Sequence, residues 1–375
     1  MAQKILQAGL SSGMSTASGI HSDKPSRVSE DYDGLKHVLS SDFVPQTSTK
    51  YTLRTRDGKD VQIPLISWGA WPWGDTATFH WSDAELPTLH AAWKQCLSQG
   101  QTWVDTAQVY GSGKSEEILG DLIHNHSPGV SRSQIVVQTK WLPMVTDAAK
   151  NLVPGVDAPV QALHASLKRM RLDYIDCYLV HGHVHATSIS SVAQSLAKCV
   201  EDGLTKAVGV ANYSVKDMLK MRDELQKYNI PLATNQCEYS ILRRLPETEG
   251  MLEACRENGI VFQSYSSLAQ GRLSGKYTEE NPAPKEYRFS SYPMEDIEPT
   301  LDVQRKIAEK HNVSVAAVAL NWNILKGAIP VVGMRKESQA EENMQALGWR
   351  LSNDEIKELD AVGFEGQTTK LWQQG

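Results

Sequence analysis

From Lys50 onward the chain alternates between short apolar runs and longer stretches whose apolar residues recur at helical spacing. The short runs read as strands: Ile63 to Gly69, Trp103 to Asp105, Ile135 to Thr139, Ile175 to Val180, Ala207 to Val210, Thr234 to Gln236, Val261 to Ser264 and Ala328 to Val332. The helical period fits Glu85 to Leu97, Lys114 to Ile123, Val160 to Met170, Ile189 to Asp202, Val215 to Tyr228, Thr248 to Asn258, Val315 to Leu325 and Glu337 to Leu347. Strands joined through helices run parallel, and eight such units close a (β/α)8 barrel. An open doubly wound sheet is the alternative, but no G-x-G-x-x-G follows the first strand.

Three departures from the even alternation add detail. Two β-prone runs, Tyr51 to Thr55 and Val61 to Ile63, flank Asp57-Gly58 and predict an N-terminal hairpin. The interval after the seventh strand, Ser264 to Ile329, is long and carries Gly271, Gly275, a Pro-rich patch and an extra helix over Leu301 to Lys310. A further helix is expected over Asn353 to Val362, ahead of a C-terminal loop. Residues 1–49 are Ser-rich and read as a flexible tail with a short helix around Gly34 to Leu39, leaving 50–375 as one barrel domain.

Composition narrows the class. With 41% hydrophobic and 22% charged residues the chain can bury a full-sized core, and no apolar run approaches the roughly 20 residues of a membrane span. A net charge of -6 and the lack of a basic block argue against nucleic acid. Five scattered cysteines without C-x-x-C fit reduced thiols in the cytoplasm. Import into an organelle is a lesser alternative, because the tail is not Arg-rich as a transit peptide would be. His183 and His185 share a loop with no acid or cysteine nearby, so no metal site is expected.

In barrels of this kind the active site forms at the C-terminal ends of the strands. There the chain places Asp105, Tyr110, Lys140, His181, Asn212, Gln236 and Tyr265. Each singly has a dull explanation as a cap, a solvated end or a core residue. Their joint position on one rim points to a single site.

The motifs Asp105-Thr106-Ala107-x-x-Tyr110-Gly111, Thr139-Lys140, Tyr178-Leu179-Val180-His181, Gly209-Val210-Ala211-Asn212-Tyr213, Asn235-Gln236, Tyr265-Ser266 with Leu268 to Tyr277, and Pro330-x-x-Gly333 with Glu342-Asn343 together resemble the aldo-keto reductase superfamily. The resemblance runs from about Leu53 to Val362, and the long glycine-bearing loop is similar to the branch of potassium-channel β subunits and bacterial or fungal reductases. It implies hydride transfer from NADPH to an aldehyde or ketone, or the reverse. Tyr110 would be proton donor, Lys140 would lower the Tyr110 pKa, Asp105 would hold Lys140, and His181 would orient the substrate oxygen. It also implies cofactor contacts from Asn212, Gln236, Tyr265, Ser266, Leu268, Gln270, Gly271, Arg272, Gly333, Arg335, Gln339, Glu342 and Asn343, with Arg335 on the 2′-phosphate.

Trp71, Trp73, Trp141 and His183 are the candidate substrate contacts and suggest an aromatic carbonyl compound. Ala211 stands where the family usually has Ser, which removes one hydrogen bond worth about 1 kcal/mol. The alternative function is an NADPH-binding regulatory subunit with slow turnover. A monomer or weak homo-oligomer is expected.

Overall fold

The computed structural model describes residues 26–29, 31–143, 157–182, 187–284, 292–367, 373 and 375. Strands β1 (Lys50–Leu53) and β2 (Val61–Pro64) form an antiparallel hairpin in which Leu53 pairs with Val61. Eight further strands follow: β3 (Ser67–Gly69), β4 (Trp103–Asp105), β5 (Val136–Trp141), β6 (Ile175–Val180), β7 (Thr205–Ala211), β8 (Leu232–Glu238), β9 (Val261–Tyr265) and β10 (Ile329–Gly333). They pair in chain order, every neighbour parallel, and β10 returns to β3 to close the ring. The fold is the (β/α)8 barrel that the alternation of apolar runs predicts. Proline ends β2, so the expected run from Ile63 to Gly69 divides between the hairpin and the first barrel strand.

The helices form the outer layer. Each of the segments Ile189–Glu201, Val215–Gln226, Val315–Leu325 and Asn353–Ala361 starts after a serine (Ser188, Ser214, Ser314, Ser352) whose hydroxyl accepts a backbone N–H of the first turn. The stretch expected as one helix over Thr248 to Asn258 is two, Leu245–Thr248 and Met251–Glu257, because Gly250 between them is left-handed (φ 82°). The extra helix is longer than expected, Met294–His311, and carries Pro299 within its second turn. Apolar side chains of the hairpin, Leu53, Val61 and Ile63, pack against Trp103, Val136 and Ile329 and close one end of the barrel. All five cysteines are free and buried, and no helix among the described residues is long and apolar enough to cross a membrane.

The tail expected over residues 1–49 needs correction for its second half. Arg27 bridges Phe364 and Leu39 donates its N–H to the Leu325 carbonyl, while the short helix expected around Gly34 to Leu39 is a 3-10 turn, Gly34–His37. The physical reason is a buried cation. Lys326, 1% exposed, donates to Glu247 Oε1 at 2.8 Å, Asp360 Oδ2 at 2.7 Å and the Gly34 carbonyl at 2.7 Å. The third acceptor comes from the backbone of the segment, which composition could not reveal.

Gly209 lies at an irregularity between β7 and β8, where a Cβ would meet Thr234 Cγ2 at 2.5 Å and the Thr234 carbonyl oxygen at 2.8 Å. A backbone atom of the neighbouring strand cannot swing aside. Gly209→Ala should therefore cost about 1–3 kcal/mol by overpacking, read as a lower urea midpoint; an unchanged midpoint would show that the ring accommodates the methyl.

Candidate active site

The cleft opens where the strands end and measures about 410 Å³. β4 delivers Asp105, and the chain then turns through a short helical turn beginning at Tyr110. Gly111 makes that turn possible: its φ is 54°, and a Cβ would meet the Gly74 carbonyl at 2.7 Å.

Asp105, Lys140, Tyr110 and His181 meet in one network. Lys140 has no exposure, and its ammonium donates to Asp105 Oδ2 at 2.6 Å, the Thr106 carbonyl at 2.9 Å and the Tyr110 hydroxyl at 3.2 Å. Three N–H bonds find three acceptors, which is the full capacity of an ammonium. The Tyr110 hydroxyl stands 3.5 Å from His181 Nε2.

Beneath these residues lies an amide layer that pattern reading misses. Gln138 and Gln236 donate to Asp105 Oδ1 at 2.6 and 3.2 Å, and both donate to Gln263 Oε1 at 2.8 Å. Gln138 sits two residues before Lys140 and Gln263 two before Tyr265, so the period-two alternation of a strand turns all four to the barrel interior. That parity is the signal from which the layer could have been found.

Burial governs the titrations here. Tyr110 is pushed well above the ordinary phenol range by burial first, then by Asp105 and Tyr265. This runs against the expected lowering by Lys140, and it leaves Tyr110 holding its proton. Burial lowers the Lys140 pKa, with Asp105 opposing. His181 is held well below the usual imidazole range, by burial and then by Lys140, so its ring is neutral at neutral pH.

The remaining candidates divide. Asn212, at a left-handed φ of 62°, donates to the His181 carbonyl at 3.2 Å and accepts from the Tyr265 hydroxyl at 2.9 Å. Gln373, near the C-terminus, donates to Glu238 and to the Tyr265 hydroxyl, and so backs Tyr265 from behind. Ser266, Leu268, Gln270, Gly271, Gly333, Arg335, Gln339, Glu342 and Asn343 all line the cleft, joined by Lys276, Lys336 and Ser338, which were not foreseen. Ala269, Gln270 and Gly271 are all left-handed (φ 46°, 56° and 89°). For Ala and Gln that costs of order 1 kcal/mol each, a strain that gathers at ligand-holding loops. The Gln270 Nε2 is buried in the cleft wall without a hydrogen-bond partner. Arg335 is within the cleft, but its Nη1 already meets Glu85 Oε2 at 3.2 Å and donates to the Phe79 carbonyl at 3.2 Å.

Some expected contacts need correction. Arg272 can contribute only its backbone amide, the group expected at a pyrophosphate, because its guanidinium donates to the Tyr292 and Pro284 carbonyls at 3.0 and 2.8 Å. Trp73 is fully buried and donates to the Met334 carbonyl at 2.8 Å, so it anchors the loop instead of facing a ligand. Trp141 packs into the outer core, because it follows inward-pointing Lys140 on the same strand. His183 lies outside the described residues. Trp71 does line the cleft: its ring stacks with Tyr110 at 5.9 Å and 23°, and Phe79, unforeseen, meets it edge-on at 5.2 Å.

A closed parallel barrel with an acid, a lysine, a tyrosine and a histidine meeting at its strand ends is the architecture of an α/β barrel enzyme. The model of the Aldo/keto reductase family matches residues 65–363, and the chain belongs to that family. It is an oxidoreductase of carbonyl compounds. It is similar to the chloroplastic pyridoxal reductase of Arabidopsis thaliana, 31% identical over 83% of this chain and 86% of that protein. Among solved structures it resembles a glycerol dehydrogenase of Gluconobacter oxydans at 28% identity and TM-score 0.65, over 83% of this chain and 94% of the other. An aldo-keto reductase of Klebsiella pneumoniae, solved with NADPH, shares the fold at TM-score 0.66 and 23% identity over 87% and 99% of the two chains.

Lys140 and Asp105 have side-chain exposures of 0% and 3%, so removing one strands the other. Lys140→Met should lower stability by about 3–5 kcal/mol in urea unfolding, and adding Asp105→Asn should recover part of the loss. Equal stability of the single variant and the wild type would mean that the pair is not closed to water.

Proposed function

We propose that this protein reduces an aldehyde carried on a planar aromatic or heteroaromatic ring, using NADPH. The observation that carries the chemistry is the chain of contacts from Asp105 through Lys140 to Tyr110 and His181. The cofactor fits the cleft: Gln270 Nε2 offers an unused buried donor, and Lys276, Lys336 and Arg335 offer cations for phosphate. Tyr265 would lie under the nicotinamide, and Asn212 and Gln236 would meet its carboxamide. When bound, NADPH supplies the hydride that the carbonyl carbon takes up.

This chain's residues do the rest. The Tyr110 O–H breaks as an O–H forms on the substrate oxygen, and the phenolate left behind is held by the Lys140 ammonium. A phenol kept protonated by burial becomes a better donor when a cation stands beside its oxygen. Neutral His181 directs an N–H at the same substrate oxygen. Asp105 keeps Lys140 in place through its second oxygen, itself fixed by Gln138 and Gln236.

The aromatic preference rests on the wall made by Trp71 and Phe79 beside Tyr110. The plant relative's name, pyridoxal reductase, is that of an enzyme acting on such an aldehyde. In an NADPH-oxidation panel, aromatic and pyridine aldehydes should exceed aliphatic ones of like size in kcat/KM. Trp71→Ala should reduce that margin by about tenfold (1–2 kcal/mol of lost ring contact). A margin untouched by the variant would remove Trp71 from substrate recognition.

Tyr110→Phe should lower kcat by roughly 10²–10⁴-fold while NADPH quenching of protein fluorescence is kept. Full activity in that variant would overturn the assigned donor. Because burial disfavours the His181 cation, the wild-type rate should stay level between about pH 6 and 8. An inflection near the ordinary imidazole pKa, absent from His181→Asn, would contradict the neutral ring. Turnover below one per minute on every aldehyde with NADPH still bound would favour the regulatory reading.

A further inference from the structure

Away from the cleft, the described residues gather one other group of metal-ligating side chains. His90 comes from the helix Leu86–Ser98, Asp121 from the helix Lys114–Asn125, and His126 from the residue that caps that second helix. One potential ligand atom from each lies within 4.8 Å of the others. His126 Nε2 is already 3.3 Å from Asp121 Oδ2. Two ligands on one zinc ion at bonds of about 2.0–2.1 Å stand roughly 3.3 Å apart when tetrahedral, so one edge of a coordination shell is in place.

Two further observations point the same way. His90 Nε2 is buried without a hydrogen-bond partner. A buried polar atom left unmatched is unfavourable unless something else satisfies it. Asp121 is oriented through its other oxygen: Asn125 donates to Oδ1 at 2.6 Å and Arg171 lies 3.8 Å from it. Polar neighbours that fix the far oxygen of a carboxylate are the usual support of a metal ligand.

We propose that His90, Asp121 and His126 form a site for a divalent transition-metal ion of the zinc class, completed by water. Two imidazoles can share an ion only where their ring planes intersect. The His90 and His126 rings are stacked with centroids 3.6 Å apart, so the stack must open for both to bind. A bound ion would join the helix before β4 to the helix after Tyr110, and would stabilise the fold through preferential binding to the folded state.

The test titrates zinc chloride into the full chain, stripped of metal with EDTA and dialysed, by calorimetry and thermal unfolding. The wild type should take up zinc and unfold at higher temperature. His90→Ala/His126→Ala should bind at least tenfold more weakly and lose the thermal shift. Its reductase rate and its metal-free unfolding temperature should match the wild type. Asp121→Asn, which preserves shape, should also weaken binding and serves if the double variant is poorly folded. Equal affinity in wild type and Asp121→Asn, or no uptake by the wild type, would overturn the proposal.

Discussion

The constraint on which the site depends is the placing of a lysine ammonium inside a barrel. An isolated charge there would be very costly, and three acceptors arranged around one nitrogen make it tolerable. Asp105 must then be fixed beside it, and its second oxygen must be satisfied, which the amides of Gln138 and Gln236 accomplish. Gln263 in turn accepts from both amides and donates to Gln138 Oε1 at 2.9 Å. The network carries one positive and one negative group on a neutral amide floor. Tyr110 meets its charged end.

The same logic shapes a second, distant part of the molecule. Lys326 is as buried as Lys140 and is surrounded by Glu247, Asp360 and a backbone carbonyl, with Arg244 on both acids at 2.9 and 3.3 Å. Tyr32 reaches the same cluster, donating to the Glu247 carbonyl at 3.0 Å. One buried cation joins Asp105 to Tyr110, and the other fastens the N-terminal segment to the barrel. The difference lies in what each touches: Lys140 reaches the hydroxyl of Tyr110, a residue that lines the cleft.

How much was legible follows from where the information resides. Strand number and order were legible because fully buried parallel strands leave continuous apolar runs, and because glycine and proline mark their ends. Asp105, Lys140 and His181 were legible because each lies at or beside the C-terminal end of a strand, and Tyr110 because it follows Asp105 by five residues. Which face a side chain takes was harder. Trp141 and Lys140 are neighbours, yet alternation sends one outward and one inward, and an aromatic residue near a strand end gives no sign of this by its type. Trp73 was misplaced because loop geometry, and not periodicity, decides whether an indole meets a carbonyl or a ligand. The segment from Ser26 to Thr49 was misread because its main ties are backbone carbonyls, which every residue possesses.

The amide floor under Asp105 has a consequence for how the site is assembled. Its partners are 33 and 131 residues away along the chain. No single βα unit, nor any adjacent pair, contains the site, so helices and individual strand pairs can form without it. Loop-closure entropy must be overcome before such distant contacts can contribute. The network is thus a property of the closed ring, assembled only when strands distant along the chain are brought together.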